Sequence, residues 1–135
     1  MVGIFHETSL LTRYCESDAL GHINSVSYFI YLEQARVEFF LENEIVFGLQ
    51  NWPFILASTH CDYKRQIYIN DKIVIQSFVK NIGSSSFTLG HDFYREGEKE
   101  KLAYGEAVIV HFDFNHQKSS PIPPDMFERL VKFTK

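Results

Sequence analysis

Cysteine is scarce in this chain: Cys15 and Cys61 are its only two, with neither C-x-x-C spacing nor the grouped spacing of a zinc site. Two isolated thiols read as free and as belonging to a reducing compartment rather than to a disulfide framework. Clustered positive charge is also missing. With a formal net charge of −4 and no run of Lys and Arg to neutralise a row of phosphates, nucleic acid is not an expected partner. No apolar run approaches the ~20 residues that span a bilayer. The start, MVGIFHETSLL, lacks the basic and apolar regions of a signal peptide, so the expectation is a cytoplasmic protein with no membrane partner. Repeats, low-complexity tracts and linkers are absent too: GSSS at 83–86 is short enough to be a turn, and SSPIPP at 119–124 introduces only the last segment.

What the chain does have is apolar and aromatic bulk, 45% hydrophobic residues with thirteen Phe and seven Tyr in 135 residues. That is enough for one packed domain over 1–135 and too short for two ordinary ones. Residues 8–14 read as a first strand, followed by a loop and a helix over 25–43. Along that helix Tyr28, Leu32, Ala35 and Phe39 share one face and Ile30, Val37 and Leu41 another. Gln34, Glu38 and Glu42 leave only a narrow polar stripe, so the helix is expected to be largely buried, wrapped by the rest of the chain. The wrapping comes from strand-like runs at 53–67, 72–82, 86–95 and 102–114. Alternation is cleanest late, with Phe87, Leu89, His91 and Phe93 on one face, and Tyr104, Glu106, Val108, Val110, Phe112 and Phe114 on another. A short helix over 124–133, opened by proline, closes the chain. Strands grouped after one long helix make the fold class α+β.

The chemistry concentrates in YCESDALGHINSVSY, Tyr14 to Tyr28. Asn24 and Ser25 are ordinary cap residues and Gly21 an ordinary means to a positive φ. Asp18, six or seven residues before the helix, is too far back to cap it. A helix N-terminus carries unpaired N–H groups and a partial charge of about +0.5. If the loop folds back so that Asp18 shares a cleft with that end, a carbonyl would lie between hydrogen-bond donors and a carboxylate able to attack it or to activate water, which describes an acyl-transfer site. A carboxylate suits a thioester, whose thiolate leaves readily. There is no G-x-S-x-G elbow and no H-E-x-x-H pair, and the six histidines are scattered.

The segment Arg13 to Arg36 resembles the signature of the hotdog-fold acyl-CoA thioesterases of the 4-hydroxybenzoyl-CoA thioesterase type. It combines D-x-x-G-H-x-N (Asp18 to Asn24), a tyrosine four residues on (Tyr28) and E-x-A-R (Glu33 to Arg36), a spacing shared with related acyl-carrier-protein thioesterases. Weaker likeness continues through DYKRQIYINDKIVIQSFVKNIGSSSFTLGHDFYREGE, similar to the family's second to fourth strands, and SSPIPPDMFERL, similar to its closing helix. The resemblance implies a hotdog fold: a five-stranded antiparallel sheet wrapped around one long helix, with a short C-terminal helix. It further implies a homodimer or tetramer whose sites lie at the dimer interface, and an acyl-CoA substrate with no separate cofactor or metal.

Carried onto this chain, the resemblance makes Asp18 the catalytic nucleophile or general base and gives the backbone N–H near Ser25 the polarising of the carbonyl. Asn24 becomes an organiser of the loop and helix start, within reach of the thioester or water. His22, Tyr28 and Tyr31 become candidates for the loop and the acyl channel, with plain packing an equal reading of the tyrosines and a structural role the better reading of His22. Ser85 and Ser86, beside Ser84, fall where the family places a hydroxyl near the partner's site, although a polar turn explains them as well. Lys64, Arg65 and Lys118 are candidates for the CoA phosphates or solvated charges. Two other hotdog functions compete. A dehydratase would use a His and a helix-borne acid at longer spacing than His22 and Glu33. A non-catalytic acyl-CoA-binding module would typically lack the carboxylate.

Overall fold

Side-chain alternation and two turn sequences organise one continuous antiparallel sheet. In the computed structural model, which describes residues 4–135, the chain forms β1 (His6–Leu11), a 3-10 turn (Tyr14–Glu16), α1 (Ser25–Glu42), β2 (Phe54–Tyr63), β3 (Lys72–Ile82), β4 (Ser86–Arg95), β5 (Lys101–Asp113), β6 (Lys118–Ser119) and α2 (Pro124–Val131). The strand order is β1-β3-β4-β5-β2, with the two-residue β6 paired to the end of β5. This is the α+β arrangement expected, with α1 packed on one face of the sheet.

The expected bounds shift where tertiary pairing overrides local pattern. The first strand begins at His6 and ends at Leu11 because its register on β3 runs from His6 opposite Ser77 to Leu11 opposite Lys72. Beyond it, Thr12 turns away, its hydroxyl donating to the Tyr68 carbonyl at 2.6 Å. The second strand stops at Tyr63, after which the Lys64 and Arg65 N–H groups both donate to the Leu102 carbonyl at 3.0 Å.

One helical row behaves as expected: Tyr28, Leu32, Ala35 and Phe39 are buried. The other does not. Val26 and Ile30 are exposed and Val37 and Leu41 half-buried, because the sheet of a single chain covers only one side of α1. The helix is therefore half wrapped. On β4 the expected apolar face, Phe87, Leu89, His91 and Phe93, lies in the core. On β5 the residues beneath α1 are instead Ala103, Gly105, Ala107 and Ile109, while the row Tyr104 to Phe112 is half-buried on the opposite face.

A polar row divides the core in two. His6 pairs with Ser77, Ser77 with His91, His91 with Gly105 and Gly105 with Cys61, so one register line crosses all five long strands. Ser77 Oγ and His91 Nδ1 lie 2.7 Å apart with both residues fully buried. On one side of this row pack Phe40, Val79, Phe87, Ile109 and Leu130; on the other pack Tyr28, Leu32, Ile73, Ile75 and Phe93. The second group carries the N-terminal end of α1, where the candidate site lies.

Candidate functional site

The start of α1 is built by Asn24. Its Oδ1 accepts the Ser27 N–H at 2.8 Å, and its own N–H donates to the Glu16 carbonyl at 2.8 Å. Ser25 and Val26 open the helix with no preceding turn to receive their N–H groups. Neither N–H donates to a backbone carbonyl among the described residues, and both residues are exposed. The preceding loop is pinned by Asp18. Its N–H donates to the His22 carbonyl at 2.7 Å, and its Oδ1 accepts the Leu20 N–H at 2.8 Å and the His22 N–H at 3.1 Å. Gly21 closes the turn at φ +82°, a conformation costly for other residues. Asp18 is exposed, and its second oxygen makes no hydrogen bond among the described residues, which leaves it open to a ligand or water.

The loop is held onto the helix by Glu16, a residue the sequence did not single out. Its buried carboxylate accepts the Arg13 N–H at 2.8 Å and the Tyr31 hydroxyl at 2.7 Å on Oε1, and the Arg13 guanidinium at 2.9 and 3.1 Å on Oε2. Burial pushes the Glu16 carboxyl up, but the Tyr31 and Arg13 hydrogen bonds outweigh it and hold the group below the usual carboxylate range. Burial, reinforced by the Glu16 anion, pushes the Tyr31 phenol up. Arg13 and Glu16 stood three apart in view. The contact with Tyr31, fifteen residues on, exists only once the chain folds back.

These elements open onto a cleft of about 560 Å³ that brings together Asp18, Asn24, Ser25, Tyr28, Lys64 and Arg65. Tyr63, at the end of β2, forms a further wall, its ring edge-on to Tyr28 at 4.7 Å and its hydroxyl donating to the Ser25 carbonyl at 3.0 Å. Burial pushes the Tyr28 phenol up to about 12, so it stays neutral. Arg65 is paired with Glu100 at 2.9 Å at the surface, while Lys64 has no ion pair among the described residues.

Five sequence candidates lie outside this cleft. His22 rests edge-on to Tyr68, ring centroids 5.2 Å apart, and Tyr31 is committed to Glu16. Ser85 and Ser86 stand at the start of β4, the Ser85 carbonyl accepting the His111 N–H at 2.8 Å. Lys118, on β6, pairs with Asp113, whereas Tyr63 at the cleft pairs with Ala103. Ten residues of extended strand, about 33 Å, separate those two points on β5. Within one chain neither the serines nor Lys118 meets Asp18. The signal that missed Tyr63 was its place at the end of a strand pattern, which says nothing of what its hydroxyl reaches.

A single antiparallel sheet packed on one long helix, with a carboxylate and the start of that helix lining one cleft, is the hotdog class of thioesterase architecture. Residues 13–130 match the thioesterase-like superfamily, and the chain belongs to that family of thioester hydrolases. It is 34% identical to the uncharacterised protein YsmA of Bacillus subtilis (strain 168) over 98 residues, 73% of this chain and 66% of YsmA. It is 25% identical over 132 residues to FadM, the long-chain acyl-CoA thioesterase of Escherichia coli (strain K12), covering 96% of this chain and 99% of FadM. The predicted thioesterase from Bacillus stearothermophilus superposes with a TM-score of 0.89 at 25% identity, over 98% of each chain.

Proposed function

We propose that the chain hydrolyses an acyl-CoA thioester to a carboxylic acid and free CoA. The observation that carries this reading is the single cleft shared by Asp18 and the opening residues of α1, Asn24 and Ser25. The thioester carbonyl lies against the unpaired N–H groups of the helix start, which receive the negative charge that develops on its oxygen. Two routes use Asp18. As general base, its carboxylate takes a proton from water, whose oxygen attacks the carbonyl carbon; the C–S bond breaks and the CoA thiolate leaves. As nucleophile, the carboxylate itself attacks, CoA leaves, and water cleaves the resulting anhydride. Neither route draws on a cofactor. Lys64 and Arg65 at the rim suit the CoA phosphates, and Tyr28 the first part of the acyl group. The likeness to FadM, an acyl-CoA thioesterase, supports CoA as the carrier.

Two copies joining along β2 complete the assembly. Support comes from β2 being one edge of the sheet, with Ile55, Leu56 and Tyr63 exposed, Leu56 lining one pocket with Val37 and Tyr63 bonded to the Ser25 carbonyl at the start of α1. Such a pairing would also give Ser85, Ser86 and Lys118 a route to the partner's cleft.

The test is a panel of short, medium, long and aromatic acyl-CoAs with free thiol as the readout. Asp18→Asn is expected to cut turnover about a hundredfold or more while leaving the melting temperature nearly unchanged. Full turnover by that variant, or none by the wild type on any substrate, ends the reading. A single turnover in labelled water separates the routes, since only the nucleophilic one leaves label in the enzyme's carboxylate.

A further inference from the structure

Tyr63 has no part in the chemistry proposed above, yet it is the cleft wall closest in bonding to the helix start. Its hydroxyl donates at 3.0 Å to the carbonyl oxygen of Ser25, thirty-eight residues away in sequence. Tyr63 is 48% exposed, so deep burial of the ring is not what holds it there. The Ser25 carbonyl and the Val26 N–H belong to one planar peptide unit. Within α1 that oxygen already accepts the N–H one turn on; the Tyr63 hydroxyl is a second bond on it, which steadies the plane and draws electron density from the nitrogen, making the N–H a stronger donor. That N–H and the one on Ser25 are the open donors of the helix start, because the next one along, on Ser27, is already taken by the Asn24 side chain at 2.8 Å.

We infer that Tyr63 is a positioning residue of the thioester site: its hydroxyl, acting through the Ser25–Val26 peptide, aims and polarises an N–H that receives the charge developing on the thioester oxygen. The inference rests on the thioesterase reading. It goes beyond that reading in assigning the strength of the helix-end donor to a side chain on β2. Because the charge exists fully only in the transition state, the hydroxyl acts on kcat more than on KM. A plain clamp between β2 and α1 predicts something else, a loss of stability with the rate per folded molecule unchanged.

The experiment uses the full chain and the acyl-CoA that the wild type hydrolyses fastest. It compares kcat and KM for the wild type, Tyr63→Phe, and protein with 3-fluorotyrosine at position 63, at a pH where both phenols stay protonated. Tyr63→Phe is expected to lose about tenfold in kcat with KM within about twofold, less than the loss of a direct oxyanion donor. The fluorinated phenol, a stronger donor, is expected to exceed the wild-type kcat. A Tyr63→Phe kcat within about twofold of wild type, or a fluorotyrosine protein no faster than wild type, overturns the inference. If that happens while Asp18→Asn abolishes turnover, the thioesterase reading stands and the role of Tyr63 falls; a wild type without turnover ends both. Should Tyr63→Phe melt far below the wild type, the fluorotyrosine comparison alone decides.

Discussion

His91 illustrates how one side chain in this core takes its properties from its neighbours. It is fully buried, hydrogen-bonded through Nδ1 to Ser77, and close enough to the Arg36 guanidinium to feel its charge. Burial first, and Arg36 second, push the imidazole down from 6.5 to about 3. In the folded chain it is neutral, whereas in the unfolded chain it takes a proton below about pH 6.5. Its contribution is therefore intact above 6.5 and is lost as pH falls towards 3, reaching about 2 kcal/mol at pH 5. Urea unfolding at pH 7 and pH 5 measures this, with His91→Gln expected to lose about 2 kcal/mol less between the two. An equal loss in both proteins would place the acid sensitivity elsewhere. At the same scale Asp18 was legible before folding, because capping could not explain it. Glu16 was not, because the phenol that completes its hydrogen bonds comes from Tyr31, about two helical turns past Asn24.

Among the elements, α1 depends on what β5 leaves beneath it. A Cβ at Gly105 would lie 2.5 and 2.8 Å from the two methyl carbons of Leu32, itself fully buried. Gly105→Ala must therefore displace the helix or force Leu32 off its rotamer, at an expected cost of about 1–3 kcal/mol in denaturant unfolding. An unchanged midpoint would mean that the helix shifts freely on its sheet. Alternation identified β5 correctly as half-buried and showed which residues share a face. It could not say which face lies under the helix, since large residues mark a core only where nothing bulky already fills the space. Leu32 fills it here, and the small face goes inward.

For the molecule as a whole, the open question in the sequence was what covers the second apolar row of α1. One chain does not cover it, and the unpaired edge β2 brings Leu56 to the same pocket as Val37 of that row. Leu56, 43% exposed on the helix side of that edge, is the position to probe. If two copies meet along β2, Leu56→Lys is expected to shift sedimentation from dimer towards monomer and to lower turnover with it. A dimer unaffected by the substitution would place the interface on another face.

Local chemistry in the sequence determined the class of fold, the position of α1, its Asn24 cap and the anomaly of Asp18, because helix starts, turns and alternating faces depend on residues a few positions apart. Only the tertiary structure decided that Tyr63 bonds Ser25, that Tyr31 serves Glu16 rather than the cleft, and that small residues rather than large ones underlie α1. Those outcomes rest on contacts across fifteen to seventy-three residues, fixed by strand register and by the volume each side chain leaves to its neighbours, which no local pattern encodes.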